Sequence, residues 1–155
     1  MNRVLTWQEA AEWRNRIEGT VVFTNGVFDI VHRGHIDYLL EARKLGDVLV
    51  VGINSDASAR TLNKGPGRPF NRQDDRAFLV SQLKPVDITV IFDQPTPAEL
   101  IEALQPDIVV KGGDYTTDEV VGKETVENRG GKVVIIPLSA GFSTSSLADK
   151  IKNDS

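Results

Sequence analysis

Short, uninterrupted apolar runs, each followed by a segment with helical spacing, constrain the fold of this chain most. Residues 47–54 read DVLVVGIN, with apolar side chains at consecutive rather than alternate positions. A strand of this kind has both faces buried, as in parallel sheets that are covered by helices on both sides. Runs of β-branched and aromatic residues predict four further strands, at 20–24, 88–92, 107–111 and 132–137.

Helical segments lie between these strands. Capping-box patterns open two of them, at 6–19 (TWQE) and at 96–104 (TPAE), and further helices are predicted at 34–44, 71–83, 120–129 and 143–152. The segment 55–70 is too polar to be core. This order predicts an α/β fold, a Rossmann-like three-layer sandwich around a five-stranded parallel sheet with right-handed crossovers. Because no internal repeat or linker interrupts the pattern, we expect one domain, residues 1–155.

The composition excludes several classes of protein. With no cysteine, a disulfide scaffold, a thiolate metal site and cysteine nucleophilic catalysis are ruled out. The formal net charge of −4 argues against a general nucleic-acid binder, which normally carries a basic excess. The longest apolar runs, such as 48–53 and 133–137, are too short to span a membrane. The first residues lack the apolar region of a signal peptide, so we expect a cytoplasmic protein.

The segment that leaves the first predicted strand carries the strongest chemical signal. Residues 24–35 read TNGVFDIVHRGH and contain both histidines of the chain, His32 and His35, flanking Gly34 at the start of a helix. Free N–H groups at a helix amino terminus attract an anion, glycine allows close approach, and imidazoles add directional donors. The pattern predicts a phosphate site; the alternative is a pair of surface histidines on a capping turn.

Three polar loops accompany this segment: NKGPGRP at 63–69, KGGDY at 111–115 and GFSTSS at 141–146. Lys64 and Arg68 flank glycines in a loop with no apolar residue to bury. Arg72 and Arg76 lie one turn apart on the next predicted helix, so three arginines could face one polyanion. Neutralisation of Arg72 and Arg76 by the neighbouring residues 74–75 (DD) is the alternative.

On these motifs the chain resembles the cytidylyltransferase-like nucleotidyltransferases of the HIGH superfamily, whose signature is T-x-G-x-F-D-x-x-H-x-G-H. The two loops KGPGRP and KGGDY narrow the resemblance to the adenylyltransferase half of bacterial ADP-heptose synthase, from about residue 20 to 151. The resemblance implies that ATP and D-glycero-β-D-manno-heptose 1-phosphate give ADP-heptose and pyrophosphate with Mg²⁺, for lipopolysaccharide core precursor synthesis. It also implies a homodimer.

The resemblance assigns roles to individual residues. The expected catalytic residues are His32, His35, Lys44 and Lys64. Expected nucleotide contacts are Asn25, Gly26, Phe28, Asp29, His32, Gly34, His35, Lys111, Gly112, Asp114, Ser143, Thr144 and Ser145. Expected substrate contacts are Asn54, Asp56, Lys64, Arg68 and Arg76, and Asp29 is a candidate metal ligand.

Some of these assignments have structural alternatives. Asp29 could cap the following turn, Lys44 could complement a helix dipole, and Asn54 with Asp56 could form an Asx turn.

Two other functions stay open at this stage. The first is a cytidylyltransferase acting on glycerol 3-phosphate or another sugar or alcohol phosphate, because loop shape and backbone groups choose the base. The second is a non-catalytic dinucleotide-binding domain, which the absence of G-x-G-x-x-G after the first strand disfavours. For a nucleotidyltransferase we expect direct in-line attack without a general base, because the attacking phosphate is already an anion.

Overall fold

The computed structural model describes residues 3–62, 65–113, 115–137 and 144–154. Strands and helices alternate along the chain, as predicted. The strands are β1 (Val4–Leu5), β2 (Val21–Gly26), β3 (Val48–Asn54), β4 (Ile88–Phe92), β5 (Ile108–Gly112) and β6 (Lys132–Ile136). The helices are α1 (Trp7–Asn15), α2 (Arg33–Arg43), α3 (Asp56–Arg60), α4 (Gln73–Ser81), α5 (Ala98–Leu104), α6 (Lys123–Asn128) and α7 (Thr144–Asp154).

The strands form one parallel sheet in the order β1-β4-β3-β2-β5-β6. The predicted parallel α/β architecture is confirmed, but within the described residues the sheet has six strands rather than five. The additional strand is β1, which pairs Val4 with Thr89 and Leu5 with Val90 at one edge. Two residues are too few to show a periodicity, so only the sheet edge beside them makes them a strand.

Helices cover both faces of the sheet. One core cluster joins Phe23 and Val50 to apolar side chains of α1, α5 and α6, and the other joins Val22 and Val51 to side chains of α2 and α4. Leu49, Val50, Val51 and Ile53 have no exposed surface, which confirms that β3 is buried on both faces. No helix in the described ranges is long and apolar enough to cross a membrane.

Two of the predicted segments differ in detail. The polar segment 55–70 contains α3, whose first turn is capped by Ser55 and whose Ser58 and Ala59 are buried. The predicted helix 120–129 is shorter, because a 3-10 helix at Thr117–Glu119 precedes α6 and Gly122 separates the two with φ of 92°. Both differences arise where packing against the sheet overrides local composition.

Three aspartates pin the amino-terminal edge of the sheet. Asp47, Asp87 and Asp107 each precede a strand, and each carboxylate accepts a backbone N–H at the start of a neighbouring strand, at 2.6 to 2.8 Å. The opposite edge, where the carboxyl ends of the strands lie, carries the H-x-G-H turn and the glycine-rich loops. The order of strands along the chain reverses between β2 and β5, which is where parallel α/β sheets bind ligands.

Candidate active site

The two histidines cap α2 with their own side chains. The Gly34 N–H donates to Nδ1 of His32 at 3.1 Å, and the His32 N–H donates to Nδ1 of His35 at 3.2 Å. A nitrogen that accepts a hydrogen bond carries no proton, so each neutral ring holds its proton on Nε2. The Gly34 N–H, which was expected to meet an anion, is therefore engaged with His32, and the proton that each neutral ring can donate is the one on Nε2.

Burial keeps His32 neutral. Loss of solvation lowers the pKa of the His32 imidazole below its ordinary value of 6.5. Protonation would also place a hydrogen on Nδ1, facing the Gly34 N–H across 3.1 Å. At neutral pH the ring is therefore a neutral hydrogen-bond donor rather than a cation.

Three aromatic rings pack together at the start of α2. The His32 and His35 rings are stacked with centroids 3.9 Å apart, and the Phe28 ring lies 5.1 Å from the His35 ring. Phe28 has a positive φ of 53°, which is strained for a residue with a side chain, and it is 6 % exposed. A Cβ at Gly26 would lie 2.8 Å from the Phe28 ring, so Gly26 is needed for this arrangement. The Phe28 ring lies against His35 inside the protein, so its observed role is to support that imidazole, and its expected nucleotide contact stays a prediction.

Asp29 binds a loop that is distant in the sequence, residues 68–71, and holds it beside the start of α2. Its Oδ2 accepts from Nε of Arg68 at 2.9 Å and from the Phe70 N–H at 2.8 Å, and its Oδ1 accepts from the Asn71 N–H at 2.9 Å. The side chains of Asp29 and Arg68 are 1 % and 8 % exposed, so this is a buried ion pair. Asp29 therefore positions residues 68–71 beside the amino terminus of α2.

Candidate metal ligands are not clustered in the described part of the chain. The described residues contain no group of three or more Asp, Glu or His side chains that could hold a metal ion together. Mg²⁺ is bound through carboxylate oxygens, and both oxygens of Asp29 already accept hydrogen bonds. The candidate role of Asp29 as a metal ligand therefore stays a prediction, beside its observed role of holding residues 68–71.

Arg68 is oriented by this ion pair. Its Nε is held by Asp29, and its guanidinium lies 5.0 Å from the centre of the Phe70 ring. Among the described residues, no hydrogen bond engages its two terminal nitrogens. Arg72, by contrast, is the exposed N-cap of α4 and makes no capping bond with its side chain.

Arg76 lies inside the protein, contrary to the expected substrate contact. The residue has no exposed surface. Its Nε donates to the Asn71 carbonyl at 3.0 Å, its Nη1 to the Val27 and Asn54 carbonyls at 2.7 and 2.8 Å, and its Nη2 to Asp56 at 2.8 Å. All three nitrogens are occupied, so Arg76 links three segments, at residue 27, at residues 54–56 and at residues 71–76. The expected cluster of three arginines around one polyanion does not form.

Lys44 is also corrected by the structure. It is the C-cap of α2, its side chain is 70 % exposed, and its Nζ lies 2.9 Å from Glu41. A helix of 11 residues is about 16 Å long. Lys44 therefore lies at the amino-terminal edge of the sheet, a helix length away from His32, and the helix-dipole alternative accounts for it.

The residues that follow β3 have different surroundings. Asn54 is 3 % exposed and donates from Nδ2 to Ser58 Oγ at 3.0 Å. In the described part of the chain its Oδ1 is buried without a hydrogen-bond partner. Asp56 uses Oδ1 to pair with Arg76 and keeps 26 % of its side chain exposed. Of the two expected sugar contacts, only Asp56 therefore has a side chain open to solvent.

The KGGDY loop leaves the end of β5, the neighbour of β2. Lys111 is half-buried, with its Nζ 5.1 Å from the centre of the Tyr115 ring, and Gly112 ends the strand. Gly113 has φ of 115°, a conformation that favours glycine. Lys111 and Gly112 are thus at the same edge of the sheet as Asn25 and Gly26.

Three expected site residues, Lys64, Asp114 and Ser143, lie outside the described residues, so their roles stay predictions. Thr144 and Ser145 are the first two residues of α7.

Sequence reasoning missed two hydroxyl groups near the site. Thr24 Oγ1 and Tyr38 OH lie 2.6 Å apart, and both reach the Val110 carbonyl, at 3.0 and 3.2 Å. Burial raises the pKa of Tyr38 to about 12, although the hydrogen bond with Thr24 lowers it in part. A hydroxyl at the end of a buried strand was the available signal, because such a group requires a partner.

Comparisons with known proteins identify the family of this chain. The family model described as Cytidylyltransferase-like matches residues 23–151. The protein from Syntrophotalea carbinolica named Bifunctional protein HldE is 51 % identical to this chain over 144 residues, which cover 93 % of this chain and 29 % of that protein. The protein of the same name from Mesorhizobium japonicum is 53 % identical over 143 residues, which cover 92 % of this chain and 28 % of that protein. The chain thus spans less than a third of the length of these curated relatives.

Two solved structures have the same fold. The lipopolysaccharide core biosynthesis protein from Thermoplasma volcanium has a TM-score of 0.65 and 36 % identity, covering 78 % of this chain and 97 % of that one. The pantoate-β-alanine ligase from Francisella tularensis, complexed with β-γ ATP and β-alanine, has a TM-score of 0.67 over 99 % of this chain and 77 % of its own. At 14 % identity the ligase shows only a shared fold. With the signature, the sheet and the family match in agreement, the chain belongs to the cytidylyltransferase-like family.

Proposed function

We propose that this chain is a nucleotidyltransferase that joins ATP and D-glycero-β-D-manno-heptose 1-phosphate to give ADP-heptose and pyrophosphate. The observation that carries the proposal is the pair of imidazole side chains at the start of α2, beside which Asp29 holds the Arg68 loop. Donors of this kind, gathered at the carboxyl edge of a parallel sheet, suit a reaction between two phosphate groups.

The reaction needs positioning rather than proton transfer. An oxygen of the sugar 1-phosphate attacks the α-phosphorus of ATP, a new P–O bond forms, and the bond from that phosphorus to the β-bridging oxygen breaks to release pyrophosphate. The nucleophile is an anion at neutral pH, so no base has to remove a proton. The Nε2–H groups of His32 and His35 stabilise the charge that develops during transfer, and the terminal nitrogens of Arg68 reduce the repulsion between the phosphates. The Mg²⁺ expected for this reaction would be held chiefly by the phosphate oxygens of ATP and by water, with few ligands needed from the protein.

The heptose assignment is supported by the KGPGRP and KGGDY loops, and the 36 % identity to a lipopolysaccharide core biosynthesis protein agrees with it. A role in lipopolysaccharide core precursor synthesis and a homodimeric assembly belong to the same proposal. Sedimentation equilibrium of the purified chain tests the dimer.

The decisive experiment measures pyrophosphate release with ATP, CTP, GTP or UTP, each combined with heptose 1-phosphate or with glycerol 3-phosphate. We expect the highest kcat/KM with ATP and heptose 1-phosphate. A higher value with CTP and glycerol 3-phosphate would replace the heptose assignment with the cytidylyltransferase alternative. No release from any combination would refute the nucleotidyltransferase proposal.

The histidine role has its own test. Replacing His35 by alanine removes one preorganised donor, and such a loss typically lowers kcat by roughly 100- to 1,000-fold. His35→Asn retains an amide N–H and is expected to retain more activity than His35→Ala. Folded variants with wild-type kcat would remove His35 from the mechanism.

A further inference from the structure

The ladder between β2 and β5 stops before either strand ends. The two strands pair only at Val22–Ile108 and Phe23–Val109. Beyond that point β2 continues to pair with β3 as far as Gly26, and β5 continues to pair with β6 as far as Gly112. The hydrogen-bond ladder between these neighbouring strands is therefore interrupted at the carboxyl edge of the sheet, and we call this interruption the β2–β5 slot.

The register identifies the hydrogen bond that is missing from this ladder. In a parallel ladder that pairs Phe23 with Val109, the next bond runs from the Asn25 N–H to the Val110 carbonyl. That carbonyl instead faces a pair of hydroxyl groups: Thr24 Oγ1 lies 3.0 Å and Tyr38 OH 3.2 Å from it, and the proton that the pair does not use for its own hydrogen bond is donated to the carbonyl. The Asn25 N–H is thereby released from the ladder.

The hydroxyl pair is well placed to keep the strands apart. Thr24 is 1 % exposed, so the pair is shielded from water that would compete for the carbonyl. Tyr38 lies one turn after His35 on α2, so the same helix supplies an imidazole donor and one of the two hydroxyls. The 2.6 Å contact between the hydroxyls makes the three oxygen atoms a single hydrogen-bonded cluster.

We infer that Thr24 and Tyr38 are positioning residues that hold the β2–β5 slot open, by satisfying the Val110 carbonyl in place of Asn25. The released Asn25 N–H then serves a ligand that brings its own acceptor, an anionic or carbonyl oxygen of the bound nucleotide. The ligand part of this inference rests on the proposed function, whereas the opening of the slot does not.

Thr24→Val tests the inference, because valine keeps the shape of threonine without its hydroxyl. We expect the slot to close, because the Asn25 N–H then donates to the Val110 carbonyl. Amide hydrogen exchange at Asn25, followed by NMR in the absence of ligand, should slow by about tenfold or more. The Kd for ATP, measured by calorimetry in the presence of Mg²⁺, should rise about tenfold, the value of one charge-assisted hydrogen bond. Thr24→Ser keeps the hydroxyl and should match the wild type in both measurements.

Two further variants separate positioning from stability. Thr89→Val is a matched control, since Thr89 is also fully buried and donates to a backbone carbonyl, that of Ala77, at 3.2 Å. It should lower the Tm without changing Asn25 exchange or the Kd for ATP. Tyr38→Phe keeps the ring and removes only the hydroxyl. It should also slow Asn25 exchange and raise the Kd for ATP, so it replaces Thr24→Val as the test if that variant does not fold.

The outcomes are distinguishable. Unchanged Asn25 exchange in folded Thr24→Val and Tyr38→Phe would overturn the inference, whatever happens to their Tm. Slower exchange without a change in the Kd for ATP would overturn its ligand part. If the wild type binds no ATP while exchange still slows in Thr24→Val, the proposed function fails and the opening of the slot by Thr24 and Tyr38 is upheld.

Discussion

Replacing Asp29 tests whether this carboxylate holds the Arg68 loop or a metal ion. Asp29→Ala removes an ion pair whose side chains are 1 % and 8 % exposed, together with the acceptor of two backbone N–H groups. Breaking a buried pair costs 3–5 kcal/mol, and we expect about 3 kcal/mol, because the freed Arg68 side chain lies near enough to the surface to regain water. For a chain of 155 residues this corresponds to a Tm lower by about 6–12 °C.

Asp29→Asn is the finer variant. An amide oxygen can still accept from a backbone N–H, but the charge opposite Arg68 is lost, and a hydrogen bond to a charged group is worth at least about 1.5 kcal/mol. We expect a smaller loss of Tm than in Asp29→Ala and, because Arg68 is no longer held, a lower kcat/KM. Asp93→Asn is the matched control, since Asp93 is exposed.

The assay is thermal unfolding in buffer with EDTA, followed by pyrophosphate release at a series of Mg²⁺ concentrations. The positioning role predicts a lower Tm without metal and an unchanged Mg²⁺ dependence. A wild-type Tm in EDTA, combined with a raised Mg²⁺ requirement, would show that Asp29 is a metal ligand and refute the reasoning.

Three further predictions concern other parts of the chain. Gly26→Ala places a Cβ 2.8 Å from the Phe28 ring, so the ring stack should shift and kcat fall while circular dichroism stays that of a folded protein; wild-type kcat would contradict this. Lys44→Ala should leave kcat/KM near the wild-type value, because Lys44 lies a helix length from His32; a large loss would restore its predicted catalytic role. The Tyr38 pKa is raised from 10 to about 12, so the neutral form is favoured by folding, and the resulting stability, about 3 kcal/mol, is present below pH 10 and lost as the pH rises towards 12. Urea unfolding across pH 9–12 should show this loss in the wild type and a smaller one in Tyr38→Phe.

Local patterns were sufficient for five of the six described strands and for the helix start at the H-x-G-H turn. A consecutive apolar run such as β3 is buried wherever it packs, so its environment follows from composition alone. The H-x-G-H turn could also be found from the local sequence, because its two histidines are three residues apart and both lie at the start of one helix. The short strand β1 could not, since two residues carry no period.

Tertiary structure decided which charged residues face the site. Helical spacing relates Arg68, Arg72 and Arg76 to one another, but it does not show which neighbours they meet. Arg68 pairs with Asp29, 39 positions before it in the chain, and Arg76 is buried inside the protein. Lys44 follows α2 directly, yet a helix that crosses the sheet carries it to the opposite edge.

The hydroxyl cluster at Val110 depends on the fold in the same way. Thr24 and Tyr38 are 86 and 72 positions from the carbonyl that they contact. A sequence specifies the donors that each segment carries, whereas the acceptor that they reach is determined only once the sheet order brings β5 beside β2. Contacts between neighbours in the chain were therefore predictable from the sequence, and those between distant segments followed only from the packing of the sheet.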